Sequence, residues 1–101
     1  MITTVSGFDW DDANIEKCKK HGLSVKLIEE LFSRDIFILG DESHSEIETR
    51  YIAIGNASND RHVFVGFTIR KSGTGLLIRP VTARYMHRRE IRKYEKTIAK
   101  I

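Results

Sequence analysis

At Asp35 the hydrophobic period of the chain changes, and that switch limits the fold more than any single motif does. Before it, Leu27, Ile28, Leu31 and Phe32 recur at helical spacing in "LSVKLIEELFSRD", with Ser24 as candidate N-cap. After it, "IFILG", "RYIAIGNA", "RHVFVGFTIR" and "LLIRPVTA" are rich in Ile, Val, Phe and Tyr and separated by turn-forming clusters, the pattern of four strands. "NASND" and "KSGTG" are short enough for hairpins, so the last three strands are expected to form an antiparallel meander, while "DESHSEIET" makes a longer acidic loop between the first two. Upstream, "WDDANIEKCKKHG" reads as another helix. Its carboxylates lie in the first turn, its cations in the last, and Gly22 supplies a left-handed stop.

Pro80 has no N–H for a ladder, so the last strand is either at an edge or bulged there. From Tyr85 or Met86 the chain turns helical, with Met86, Glu90, Lys93 and Tyr94 on related turns and Ile91 and Ile98 on a core-facing side. The expected fold is therefore α+β: two N-terminal helices, a four-stranded antiparallel sheet and a C-terminal basic helix. The helices pack on one face and leave the other as a platform on which RNA can lie.

The length of 101 residues fits one domain, residues 1–101, and an apolar content of 41% is too high for a disordered chain. No run approaches the roughly 18 apolar residues of a membrane span, and "MITTVSGFDW" has neither a basic nor an apolar leader region, so a cytoplasmic location is expected. Cys18 is the sole cysteine, which excludes an intramolecular disulfide and a cysteine-based zinc site and makes a packing role the expectation.

Charge is unevenly spread. From Arg79 onward eight cations face Glu90 and Glu95, a balance of +6; with +3 overall, the first 78 residues carry −3. Such a split gives a polyanion-facing end to a mildly acidic body. Arg70, Arg79, Arg84, Arg88, Arg89 and Arg92 present planar forks that match phosphate oxygens; the plainer alternative is a solvated helix face with local pairs to Glu90. Tyr85 and Tyr94 can stack on bases or sit at the core boundary with a wet hydroxyl. His21 either complements the carbonyl end of its helix or serves as general acid or base. His44, His62 and His87 are scattered, so no metal site is expected, and the lack of Walker, dinucleotide and nucleophile-elbow motifs argues against the usual nucleotide-cofactor enzymes.

"FDWDDANIEKCKKHGLS", "ELF", "ETRYIAIG" and "IRPVTARYMHRREIRKYE", in this order, resemble the BrnT family of bacterial type II toxins. The resemblance runs from about Phe8 to Glu95. It implies a RelE-like fold and a cytoplasmic ribonuclease that inhibits translation, partnered by a BrnA-type antitoxin with a ribbon-helix-helix domain. Promoter DNA is then met only through the toxin-antitoxin complex. Family positions fall on Lys20, His21, Arg50, Arg79, Arg84, Glu90 and Tyr94. Thr82 stands where Ser is commoner, and Lys26 and Leu27 stand where many members have glutamates, which leaves Glu29 or Glu30 to substitute for an acidic group there.

Under that resemblance, RNA is cut without metal or cofactor: its own 2′-hydroxyl attacks the adjacent phosphate in line. Arg79 and Arg84 are expected to stabilise the phosphorane, with Arg70 as a third donor or a backbone contact. His21 is the first candidate for proton transfer, ahead of Lys20 and Tyr85, and Arg50, Arg70, Arg88, Arg89 and Arg92 bind flanking RNA. An antitoxin covering the basic surface would inhibit by occlusion, and the complex could hold a toxin dimer. The alternatives are a non-catalytic RNA- or DNA-binding module using the basic helix, or a subunit whose basic tail holds an acidic protein.

Overall fold

The computed structural model describes residues 5–41, 48–73 and 75–99, with side chains to residue 96. Its elements run β1 (Val5–Phe8), α1 (Asp12–Lys20), α2 (Val25–Leu31), β2 (Phe37–Gly40), β3 (Arg50–Asn56), β4 (His62–Ser72), β5 (Gly75–Tyr85) and α3 (Arg88–Ala99). His44 and Ile98, named above, lie outside the described residues or side chains.

Local chemistry sets the first two helices. Asp11 caps α1 by accepting the Asn14 N–H at 2.8 Å, and Ser24 caps α2 by accepting the Leu27 N–H at 3.1 Å. Between them Gly22 takes φ 80°, the left-handed conformation that stops α1 and that glycine adopts without a Cβ clash.

The sheet differs from expectation in having five strands, ordered β1-β5-β4-β3-β2. The four anticipated strands form an antiparallel set, and β1 adds to it in parallel along β5 through Val5–Leu76, Gly7–Leu77 and Phe8–Ile78. β1 is only four residues, "VSGF", so it carries almost no periodic signal; it is held by pairing to a strand some 70 residues away. Pro80 is accommodated by a bulge: Gly66 pairs Thr82 and Phe67 pairs Pro80, leaving Val81 as the extra residue. β5 lies inside the sheet, and it runs on through Tyr85, so the last helix begins at Arg88, two or three residues later than the sequence indicates.

Register assigns the two faces. Ala53, Val63, Val65, Phe67, Ile78 and Ala83 alternate onto the first, where they pack with Cys18, Leu23, Ile28 and Leu31 into the buried core, and half-buried Tyr51 on the same face packs against it. An aromatic chain crosses it, with Phe8–Phe32, Phe32–Phe67 and Tyr51–Phe67 centroids 5.6, 5.3 and 5.5 Å apart. The helices do not share this face. α1 and α2 cover it, whereas α3 crosses the second face, where the Tyr94 ring meets Phe37 and His62 edge-on at 6.0 and 6.1 Å. The reason is Arg84: it alternates onto the second face and binds Glu90 in the first turn of α3. Among the described residues no helix is long and apolar enough to cross a membrane.

Candidate functional site

β5 carries three of the expected site residues, and the structure gives them different surroundings. Arg79 reaches back to the start of the chain, donating from Nη1 to Asp9 at 3.3 Å and from Nη2 to Asp11 at 2.6 Å. Since Asp11 is the N-cap of α1, this pair fixes where α1 begins. Arg84 donates both terminal nitrogens to Glu90 at 2.7 and 2.8 Å while its guanidinium lies 4.6 Å above the Phe64 ring. The Glu90 carboxylate also accepts the His87 N–H at 2.9 Å, which caps α3. Arg84's hydrogen bonds, aided by that N–H and opposed by burial, hold the Glu90 carboxyl down at about 2; Glu90 in turn raises Arg84 above its ordinary value.

The other strand arginines are paired too. Arg50 lies 3.9 Å from Asp41, and Arg70 lies 3.5 Å from Glu48. Arg50 crosses directly over Gly66, where a Cβ would stand 3.1 Å from its Nη2 and 3.0 Å from the Thr82 methyl. Arg79 and Arg84 are five residues apart on β5, on the order of 15 Å. Each guanidinium is moreover bound to its own carboxylates, Asp9 and Asp11 for Arg79 and Glu90 for Arg84, so in this arrangement the two do not converge on one phosphate.

A different group gathers where β5 ends. Tyr85 points to the face opposite Arg84, and three features surround it. The Arg61 guanidinium carbon lies 3.6 Å from the ring centroid, Asn59 Nδ2 donates to the hydroxyl at 3.0 Å, and a methyl group at Gly22 would be 3.9 Å from Cε2. This proximity to Gly22 brings the end of α1, with exposed Lys20 and His21, to the same corner of the sheet. The β3–β4 hairpin is shaped to deliver its two residues: Asp60 takes φ 64°, Asp60 N–H donates to Ala57 O at 2.9 Å, and Arg61 N–H donates to Asn59 Oδ1 at 3.1 Å.

Lys20, Arg61, Arg88, Arg89 and Arg92 are exposed, and among the described residues none has a carboxylate within ion-pair distance. The four strand arginines, Arg50, Arg70, Arg79 and Arg84, are thus neutralised by the fold, whereas Arg61 at the sheet end and Arg88, Arg89 and Arg92 on α3 face solvent. Asn59 and Arg61 escaped the sequence reading because "NASNDRH" signals a hairpin and nothing more; only Tyr85, 24 residues beyond Arg61, reveals what the turn holds.

The remaining expected residues have structural partners. Tyr94 sits at the core boundary, its hydroxyl raised by burial. Glu29 accepts the Trp10 indole N–H at 3.0 Å, and Glu30 lies 3.9 Å from Arg34. Cys18 is buried, which pushes its thiol up against the opposing effect of Lys17. Among the described residues no three His, Cys, Asp or Glu side chains come together at metal-ligand spacing.

A family model described as the ribonuclease toxin BrnT of type II toxin-antitoxin systems matches residues 10–90, from Trp10 to Glu90. The matched span contains Lys20, His21, Asn59, Arg61 and Tyr85. No curated protein matches the chain.

Proposed function

The chain belongs to the BrnT family of ribonuclease toxins of type II toxin-antitoxin systems, and from that premise we propose that it is an endoribonuclease whose working end is the corner built by Tyr85, Lys20, His21 and Arg61. The observation that carries this placement is the division of the arginines: those of β3, β4 and β5 already have carboxylates, whereas Arg61 beside Tyr85 and Arg88, Arg89 and Arg92 just beyond it have none among the described residues.

The reaction is 2′-hydroxyl attack without metal. His21 takes the 2′-hydroxyl proton as the O2′–P bond forms, the P–O5′ bond breaks, and a proton passes to the departing O5′. Tyr85 suits the last step. Its oxygen accepts from Asn59, which leaves its own O–H to donate outward. Lys20 and Arg61 neutralise charge on the phosphorane, and Arg88, Arg89 and Arg92 hold the flanking backbone. Arg79 and Arg84 act as positioning residues: the first sets the start of α1 and so its far end at His21, and the second sets the start of α3.

A type II toxin has a protein antitoxin as partner. Here that partner is a BrnA-type ribbon-helix-helix protein that covers the free cations, inhibits by occlusion and alone contacts promoter DNA.

The test is cleavage of end-labelled RNA in EDTA, with 2′-O-methyl substitution at the cut site as control. Wild type should leave a 2′,3′-cyclic phosphate, and Tyr85→Phe and His21→Ala should each slow it about 10²-fold or more. Cleavage that requires a divalent ion or survives 2′-O-methylation sinks the mechanism. Salt-sensitive retention with no new ends would favour a non-catalytic nucleic-acid-binding module.

A further inference from the structure

The guanidinium carbon of Arg61 lies over the Tyr85 ring, 3.6 Å from its centroid, closer than charge attraction alone requires and close enough for the two groups to stack. One face of the Tyr85 ring is therefore taken. A nucleobase cannot stack there, and the outer plane of Arg61, an exposed residue, becomes the top of the stack. Three further hydrogen bonds hold the Arg61 backbone beside the ring before any ligand arrives. Asn59 is tied both to the Arg61 N–H and to the Tyr85 hydroxyl, and Arg61 O accepts the Ala57 N–H at 3.0 Å. The backbone that carries this long side chain is thus held on both sides of the turn, and the Tyr85 ring holds the guanidinium itself.

We infer that Arg61 forms a nucleobase subsite: an unstacked base of single-stranded RNA lies on its outer face, next to the phosphate cut at Tyr85. Guanidinium planes stack on bases as aromatic rings do, and the in-plane N–H edge is left to donate to a phosphate. The stack tolerates any base, since every base has a π-face, so the subsite contributes grip and register more than sequence choice. The inference relies on the ribonuclease reading for its substrate, but its geometry stands apart from the chemistry. An alternative role for the same contact is a staple that merely holds the hairpin to β5.

Two arms separate these outcomes. In the first, kcat/KM is measured on an oligoribonucleotide and on versions carrying one abasic ribose at either side of the cut, with wild type and Arg61→Lys. Lysine keeps the charge and loses the plane. Removing one flanking base should slow wild type about 5- to 100-fold and should slow Arg61→Lys less than about 2-fold. An equal abasic penalty in both proteins, or no penalty in wild type, overturns the subsite. In the second arm, an uncleavable 2′-O-methyl oligonucleotide containing 2-aminopurine is titrated onto both proteins. Quenching by wild type and bound but unquenched signal with Arg61→Lys support stacking even if no cleavage is seen, in which case the nuclease reading alone falls. Quenching that is the same in both overturns the inference.

Discussion

Replacing Glu90 with Gln tests how far one carboxylate holds α3 to the sheet. Glu90 accepts three hydrogen bonds, two from Arg84 and one from the His87 N–H, and its folded value of about 2 lies below the ordinary 4.5. Folding thus favours the ionised form. The stabilisation is complete above the unfolded value and disappears as pH falls through the folded one. At about 1.4 kcal/mol per unit the full difference is about 3 kcal/mol. The Glu90 and Arg84 side chains are 34% and 32% exposed, so solvent screening reduces this to about 1–2 kcal/mol. For a domain of this size that is a fall in Tm of roughly 5–15 °C at pH 7. Thermal melts of wild type and Glu90→Gln, followed by circular dichroism from pH 7 to pH 3, cancel the other carboxylates in the difference. The gap should hold steady down to about pH 5.5 and shrink to less than about half of its neutral value at pH 3. A gap that does not change with pH, or no gap at pH 7, would refute the account of this clamp.

Other parts of the framework give separate outcomes. Arg79→Ala and Asp11→Ala should each cost about 1 kcal/mol in urea unfolding, and the double variant should cost clearly less than their sum, because one hydrogen bond joins them; full additivity would show that they do not cooperate. Gly66→Ala should destabilise by about 1–3 kcal/mol, since the new methyl meets Arg50 and Thr82 on the second face, and a neutral result would mean that Arg50 moves aside at no cost. Cys18 should resist a thiol reagent in the native protein and react in urea; rapid native labelling would contradict its burial.

Local signals carried most of the architecture. The N-cap of Ser24, the stop at Gly22, the four strands after Asp35 and the disruption at Pro80 all rest on backbone chemistry within a few residues, and all appear in the fold. What the sequence concealed depends on distant partners. β1 exists because β5 pairs with it. Arg79 reads as a free phosphate fork until Asp9 and Asp11, some 70 residues earlier, are found beside it. Arg84 was partly legible, because Glu90 stands six residues away and a local pair was the plainer alternative. The face taken by α3 follows from that same pair. At the proposed site, Lys20, His21 and Tyr85 were visible by residue type, but Asn59 and Arg61 were not, because a hairpin signal does not say which ring its tip will cover.

The central claim is that RNA meets the corner around Tyr85 and not the arginines of the sheet. The most direct measurement is a backbone and side-chain NMR titration of the protein with a short uncleavable 2′-O-methyl RNA. The account predicts shifts concentrated at Lys20, His21, Asn59, Arg61 and Tyr85, continuing into Arg88 and Arg89. Shifts centred on Arg50, Thr68, Arg79 and Thr82, with the corner unmoved, would contradict it and return the phosphate to the strand arginines.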